Sequence, residues 1–311
     1  MQVRFQILDY PGSQKSAILG IKDLLDFANA QGVSAGAGIF ETTISRDPDT
    51  DADVYVLPPA LVLEPPSLPE GWKSGLIARS DSGCVLASIC SGAFLLAETG
   101  LLDGLKITTH WRHADVLRQR HPKTIIDTDR ILVDLGNIVT AGGVMAWTDL
   151  TLHMIQRFGG RKLMLNVARM FVVDPPEREQ SYYASFVPNK KHTDGAIAAI
   201  QTLMQDAPGA SHTVASLAAA GAMSERSFMR RFKQATGTSP VAYLQLLRVE
   251  SARSRLELTR DSFERISWDM GYGDPAAFRR IFKRVSGLTP SDYRRRFGMG
   301  TSVTRDADTA P

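Results

Sequence analysis

The chain has 311 residues, 43% of them hydrophobic and 22% charged, with a formal net charge of +3. That is the make-up of a globular protein long enough for two domains, each with its own core. No apolar run reaches the roughly 18 residues a membrane helix needs, and the N-terminus lacks a basic segment leading to an apolar stretch and cleavage site. A cytoplasmic location is expected and a membrane role is not.

Residues 3–8 read as a first strand, stopped by Tyr10, Pro11 and Gly12. Ile18, Ile21, Leu24, Leu25 and Ala28 then recur at helical spacing, which predicts a helix over residues 18–27. A Gly-rich segment follows, then a strand at 53–57 and a Pro-rich loop at 58–69. Residues 84–89 are a buried strand candidate, with a helix over 92–98 starting directly after it. Shorter strands are predicted at 125–127, 131–133 and 138–140, with 134–137 as a turn. Gly142 and Gly143 lead into a helix over 145–158, and another over 163–173 is stopped by Asp174, Pro175 and Pro176. Strands alternating with helices imply a parallel sheet covered by helices. A polar stretch around Pro188, Asn189, Lys190 and Lys191 is the expected linker.

Cys90 falls between a strand and a helix, on a turn that would lift it above the carboxyl edge of the sheet. The helix start beneath it offers N–H groups and a positive dipole end, which favour a thiolate and a bound anion or carbonyl oxygen. His110 would come from a following strand end and could sit beside the sulfur. Asp9 and Tyr10, ending the first strand, would face the same crevice, and Trp111 and Trp147 could offer ring faces to a cationic ligand or simply belong to the core. His110 and His113 are three apart, but no third ligand has a recognisable spacing, so no metal site is expected. Cys84 reads as a core strand residue. The two cysteines form no disulfide framework.

Beyond the linker the charge changes sign. Residues 195–298 hold 16 Lys and Arg against 9 Asp and Glu, a balance of +7, whereas residues 1–194 hold 19 against 22, a balance of −3. A polyanion partner is expected for the C-terminal part alone. That part says nearly the same thing twice. Phe228, Arg230, Phe232, Lys233, Gly237, Pro240 and Tyr243 recur 50 residues later as Phe278, Arg280, Phe282, Lys283, Gly287, Pro290 and Tyr293. Each copy reads as a short helix, a turn, and a second helix with one apolar and one basic face. In the first, Gly221 marks the turn, Ser224 is the cap, and Arg226, Met229, Arg230 and Lys233 face outward. In the second, Asp274 is the cap, Pro275 takes the first helical position, and Ala276, Arg279, Arg280 and Lys283 face outward. Ser239 and Pro240 start a long helix, with Val241, Leu244, Leu247 and Ala252 at helical spacing, that would join the two copies. An apolar face toward the domain and cations toward the major groove are what a recognition helix requires.

The runs from Phe228 to Pro240 and from Phe278 to Pro290, with the Arg248 to Arg253 segment between them, resemble the DNA-binding domain of AraC/XylS-family transcriptional regulators. The stretch from Ala87 to Trp111, with the glycines after Val139, resembles the PfpI family within the class I glutamine amidotransferase-like superfamily. Together the resemblances imply an α/β, flavodoxin-like parallel-sheet sandwich followed by an all-α domain with two helix-turn-helix units. The boundaries would be a sensor and dimerisation domain at 1–185, a linker at 186–194, a DNA-binding domain at 195–298 and a disordered tail at 299–311. Cys90 matches the superfamily's nucleophile and His110 its downstream histidine. Two departures count against catalysis: Ala17 stands where many relatives carry a carboxylate, and Ser91 follows the cysteine where protease-type members have histidine.

The expected function is a sequence-specific DNA-binding regulator, with double-stranded DNA and a small-molecule effector as partners, the effector an amino acid or amine by resemblance. A homodimer is expected, contact with RNA polymerase fits the role, and no cofactor is implied. Asp9, Tyr10, Cys90, Ser91, His110, Trp111 and Trp147 are the candidate ligand residues, and no catalytic residue is assigned. Two alternatives stay open: a cysteine-dependent hydrolase or hydratase of a small amide or nitrile fused to a DNA-binding domain, and a DNA-bound redox sensor using Cys90.

Overall fold

The computed structural model describes residues 2–32, 39–48, 51–61, 64–176 and 179–299. Parts of the expected Gly-rich segment and Pro-rich loop, and residues 300–311 of the expected tail, lie outside the described residues. The chain divides into two compact units between Ser181 and Tyr182.

The first unit is built on a sheet of β1 (Gln2–Leu8), β2 (Ile39–Ser45), β3 (Val54–Leu57), β4 (Val85–Ile89), β7 (Leu132–Asp134) and β8 (Ile138–Ala141), in the order β2-β1-β3-β4-β8-β7. A separate parallel pair is made by β5 (Lys106–Ile107) and β6 (Ile125–Ile126). The helices are α1 (Lys15–Gly32), α2 (Trp72–Asp81), α3 (Gly92–Thr99), α4 (Ala114–Arg120), α5 (Trp147–Gly159) and α6 (Arg161–Phe171). Alternate side chains send Phe5, Ile7, Val56 and Ala87 to one apolar cluster with α1, α5 and α6, and Leu8, Tyr55, Leu57 and Leu86 to another with α2 and α3. Both faces of the sheet are therefore covered, and the strands read as nearly continuous apolar runs for that reason.

The sheet is not wholly parallel. β7 runs antiparallel to β8, Leu132 opposite Ala141. Only a tight turn separates them, with Asp134 accepting from the Gly136 N–H at 2.7 Å, and so short a connection cannot make the crossover a parallel pair needs. β2 and the helices α2 and α4 were not foreseen in the sequence.

The second unit is all helical: α7 (Gly195–Asp206), α8 (Val214–Ala220), α9 (Glu225–Thr236), α10 (Pro240–Leu258), α11 (Phe263–Asp269), α12 (Pro275–Ser286) and α13 (Pro290–Phe297). Each begins on a side-chain cap, from Asp194 through Thr213, Ser224, Ser239, Ser262 and Asp274 to Thr289. The repeat folds twice, as α8–α9 and α11–α12, each pair with its own core. Phe228 and Phe232 pack with Tyr243 and Leu217 in one, Phe278 and Phe282 with Tyr293 and Phe263 in the other. α10 contributes Leu244 to the first core and Val249, Ala252 and Leu256 to the second.

The turns inside the two copies are not identical. In the second, Gly271 takes φ +78. In the first, the left-handed residue is Ala222 at φ 52, and Gly221 lies close under the tip of the Met223 side chain, 2.5 Å from where a Cβ would stand. The polar stretch 186–194 lies within the second unit and is not free of it. Phe186 packs edge-on against Tyr243 at 5.2 Å and donates its N–H to Glu250, and Arg253 donates to the Ala184 carbonyl.

Candidate functional site

The outward face of the two repeated helices follows from their inward one. With Phe228 and Phe232 fully buried, α9 turns Arg226, Met229, Arg230 and Lys233 to solvent; with Phe278 and Phe282 fully buried, α12 turns out Ala276, Arg279, Arg280 and Lys283. All eight are exposed, and they correspond one for one at the repeat's offset. Among the described residues, Arg226, Arg230, Lys233 and Arg280 engage no carboxylate. Arg279 differs: its guanidinium lies 3.1 Å from Glu264 of α11 and 5.6 Å over the Phe263 ring. Arg284, one turn on, donates to Gln245 of α10 at 3.0 Å. Glu264 and Gln245 were missed in the sequence, because their partners lie 15 and 39 residues away.

In the first unit the parallel strands bring Asp9 and Tyr10 after β1, Pro58 after β3, Cys90 after β4 and Gly142–Gly143 after β8 to the same carboxyl edge. Cys90 forms a strained elbow with φ 55. Gly92 allows it, since a Cβ there would stand 2.4 Å from the Leu57 carbonyl. The elbow is closed. Cys90 is 1% exposed, and burial pushes its thiol up to about 11, against the pull of N–H groups from Ser91 and Gly143. Tyr10, beside it, is buried with its hydroxyl donating to the Pro58 carbonyl at 2.5 Å, and burial raises it as well. Ser91 accepts from the Ala60 N–H at 2.8 Å, and its hydroxyl also reaches the Cys90 thiol, where it opposes the rise that burial causes. Asp9 is engaged by Lys15 and by the Ser13 hydroxyl, and the Lys15 contact holds its carboxyl below the usual range.

His110 does not pair with the sulfur; among the described residues no hydrogen bond joins them. Its Nδ1 accepts from the Arg112 N–H at 3.1 Å, its ring lies tilted 5.3 Å from Trp111 and edge-on 5.7 Å from His113, and burial, His113 and Arg112 push it down to about 4. Trp111 is half-buried, with the Arg112 guanidinium 5.9 Å over its ring. Trp147 stands apart from this group: it packs on α1, where a Cβ on Gly20 would lie 2.5 Å from its ring. Ala17, fully buried on α1, supplies no carboxylate. Near neutral pH the elbow thus holds an uncharged thiol and an uncharged imidazole, neither activating the other. No group of three or more metal-binding side chains occurs among the described residues.

One residue had no sequence signal. Gln180, 2% exposed, inserts its amide between Thr109 and Trp111: Oε1 accepts from the Trp111 N–H at 2.8 Å, and Nε2 donates to the Thr109 carbonyl at 3.0 Å. Gly142 makes room for it, since a Cβ there would sit 2.3 Å from Nε2. Thr109 in turn donates its hydroxyl to the Cys90 carbonyl at 2.7 Å.

Comparison with known proteins assigns both halves. Residues 217–296 match a helix-turn-helix domain, and residues 75–157 match the DJ-1/PfpI family. The HTH-type transcriptional regulator GlxA of Rhizobium meliloti (strain 1021) is 31% identical over 219 residues, 70% of this chain and 67% of its own length. The HTH-type transcriptional regulator GbdR of Pseudomonas aeruginosa (strain UCBPP-PA14) is 28% identical over 232 residues, 73% of this chain, and the match spans 62% of GbdR. Among solved structures, the DNA-binding domain of AdpA in complex with a target DNA aligns at 31% identity over 33% of this chain and 92% of that one, with a TM-score of 0.32.

Proposed function

This chain belongs to the HTH-type transcriptional regulators that join a DJ-1/PfpI domain to an AraC-type helix-turn-helix domain, and from that premise we propose that it regulates transcription by reading specific DNA sequences with two helices per subunit. The observation that carries the reading is the paired outward faces of α9 and α12, equivalent in position and different in residue. Arg230 and Arg280 reach guanine edges, and Lys233 and Lys283, one turn further on, meet phosphates. The first unit senses a small metabolite and dimerises the protein, which acts in the cytoplasm and engages RNA polymerase from its operator. We assign the effector to the amino acids or amines. The Trp111 ring already draws one cation, the Arg112 guanidinium 5.9 Å over it, and an ammonium group that displaced this guanidinium would meet the same electron-rich face. An un-ionised thiol without a base opposes the hydrolase reading.

The test is selection of binding sites from random duplex DNA by the full chain, followed by a thermal-shift screen of amines and amino acids. Recovery of two distinct short sequences at a fixed separation supports the reading. Binding that varies with salt but not with sequence overturns it.

A further inference from the structure

A long helix alone is a flexible connection between two reading heads, yet here the heads also touch. The loop at 207–212, which leads into α8, meets the turn between α11 and α12. A Cβ on Gly209 would fall 1.9 Å from the Asp269 carbonyl oxygen, and one on Gly271 would fall 2.6 Å from the Gly209 carbonyl oxygen. Both backbones are bare where they cross. Arg248, from the middle of α10, closes the contact. Its Nε donates to the Pro208 carbonyl at 2.8 Å and its Nη2 to the Ala210 carbonyl at 3.0 Å. The same guanidinium lies 5.1 Å over the Tyr272 ring. Tyr272 in turn stacks at 4.4 Å on Phe278, on the buried face of the second reading helix. One planar cation therefore grips the entry loop of the first head with its edge and the turn of the second with its face. Lysine cannot do both. Arg255 adds a further tie, pairing with Asp269 at 2.6 Å and so holding α11 to α10.

We propose that Arg248 is the positioning residue that locks the two heads into one rigid reader and thereby sets the separation of half-sites the protein accepts. The inference rests on the DNA-reading function proposed above. Adding one base pair between half-sites shifts the second by about 3.4 Å and turns it by about 35°. A rigid reader cannot follow such a change, whereas a reader hinged at α10 can. Arg248 touches no base in this account; it acts through Tyr272 and the loop.

The test has two arms on the full chain. In the first, spin labels on Gln234→Cys and Ser291→Cys, in a Cys84→Ser background and in labelled subunits diluted with an excess of unlabelled chain, report the distance between heads of one subunit without DNA. A single narrow distribution is expected, broadened by Arg248→Ala and less so by Arg248→Lys. In the second, the selected operator is lengthened by one base pair. Since matched rigid coupling of two sites is worth about 100-fold or more in affinity, the unaltered protein should lose about that factor and Arg248→Ala less than about tenfold. A distribution as narrow in Arg248→Ala as in the unaltered protein overturns the lock. Broadening with unchanged spacing discrimination overturns its role in DNA recognition. Failure of the unaltered protein to select paired half-sites overturns the proposed function, while the distance arm still judges the lock. If Arg248→Ala does not fold, Arg248→Met, which keeps the aliphatic stem, takes its place in both arms.

Discussion

The elbow of the first unit and the reading helices of the second both set polar side chains at the start of a helix, and burial separates their chemistry. At the elbow, Cys90 is 1% exposed, its thiol is pushed up to about 11, and His110 is pushed down to about 4. Its polar neighbours are satisfied by the protein's own groups, with Ser91 held by Ala60 and Thr109 by Cys90 and Gln180. On α9 and α12 the cations stay in water, and Arg226, Arg230, Lys233 and Arg280 meet no carboxylate among the described residues. A side chain whose bonds are already made inside the fold has little left for a partner; one held out by a buried aromatic behind it has everything left. A motif in the sequence marks both places alike, and only exposure tells them apart.

The comparison breaks first where the aromatics that hold the cations out are removed. Phe282 is fully buried between Phe263 at 5.9 Å and Tyr293 at 5.5 Å. Phe282→Ala should cost about 3–5 kcal/mol, lowering the melting temperature of the second unit by on the order of 15–30 °C. DNA binding should be lost while the first unit's melting transition stays in place. Calorimetry resolves the two transitions; movement of both together would show that the units do not unfold separately.

Next in size are the exposed cations themselves. Arg230→Ala and Arg280→Ala should each cost about 1–3 kcal/mol, confined to one half-site, because a bidentate contact to guanine discriminates between bases. Lys283→Ala should weaken every sequence alike and flatten the salt dependence by about one unit of slope. Binding to a panel of operator variants separates the cases. A uniform loss in either arginine variant would place that arginine on the phosphate backbone.

How much of this was legible in the sequence depended on how local each signal was. The repeat, its caps and its buried phenylalanines rest on spacings within one or two helical turns, and the outward residues follow from them. The sheet was legible as strands and helices in alternation. β2 was hidden by the glycines before it, and the antiparallel β7 was hidden by an expectation of uniform parallel pairing, although the Asp134–Asn137 turn contains the reason. Long-range pairings carried no signal: Gln180 joins Trp111 across 69 residues and Arg248 joins Pro208 across 40. Phe186, a lone aromatic in a polar stretch, gave no indication that it would dock on Tyr243. For the elbow, the sequence located Cys90 but pointed to a thiolate, because the helix start is local and legible; the burial that instead pushes the thiol up to about 11 comes from residues distant in the chain.

A smaller effect returns to the elbow. His110 titrates near 4 in the folded protein against an ordinary value of 6.5. Above about 6.5 both folded and unfolded states are neutral there, and its contribution to stability is fully present. As pH falls from about 6.5 toward 4 the unfolded state takes up the proton first, so stability declines through that window. His110→Gln should flatten the dependence of the first unit's melting temperature between those pH values. His113, also lowered by burial, retains part of the slope. Carboxylates such as Asp9, held below their usual range, act from about pH 5 downward, so the slope between about 5 and 6.5 is the part that reports on the histidines. An unchanged slope in the variant would place the titrating group elsewhere.

The smallest expected effect is at Cys90 itself, and it is the sharpest test of the contrast. A thiol at about 11 is thiolate in only about one part in ten thousand at pH 7. Burial keeps reagents from reaching even that fraction. Iodoacetamide should therefore modify the half-buried Cys84 first and leave Cys90 intact until the unit unfolds. Cys90→Ala removes one buried sulfur from a tight elbow and should cost about 1 kcal/mol in the first unit. The substitution keeps the left-handed backbone at the same strain, since neither residue favours φ 55. DNA affinity without effector should stay within about twofold, because nothing in the proposed reading of bases passes through the sulfur. Rapid labelling of Cys90 in the folded protein, or a DNA affinity that follows its oxidation, would reinstate the redox sensor and show that the elbow opens in solution.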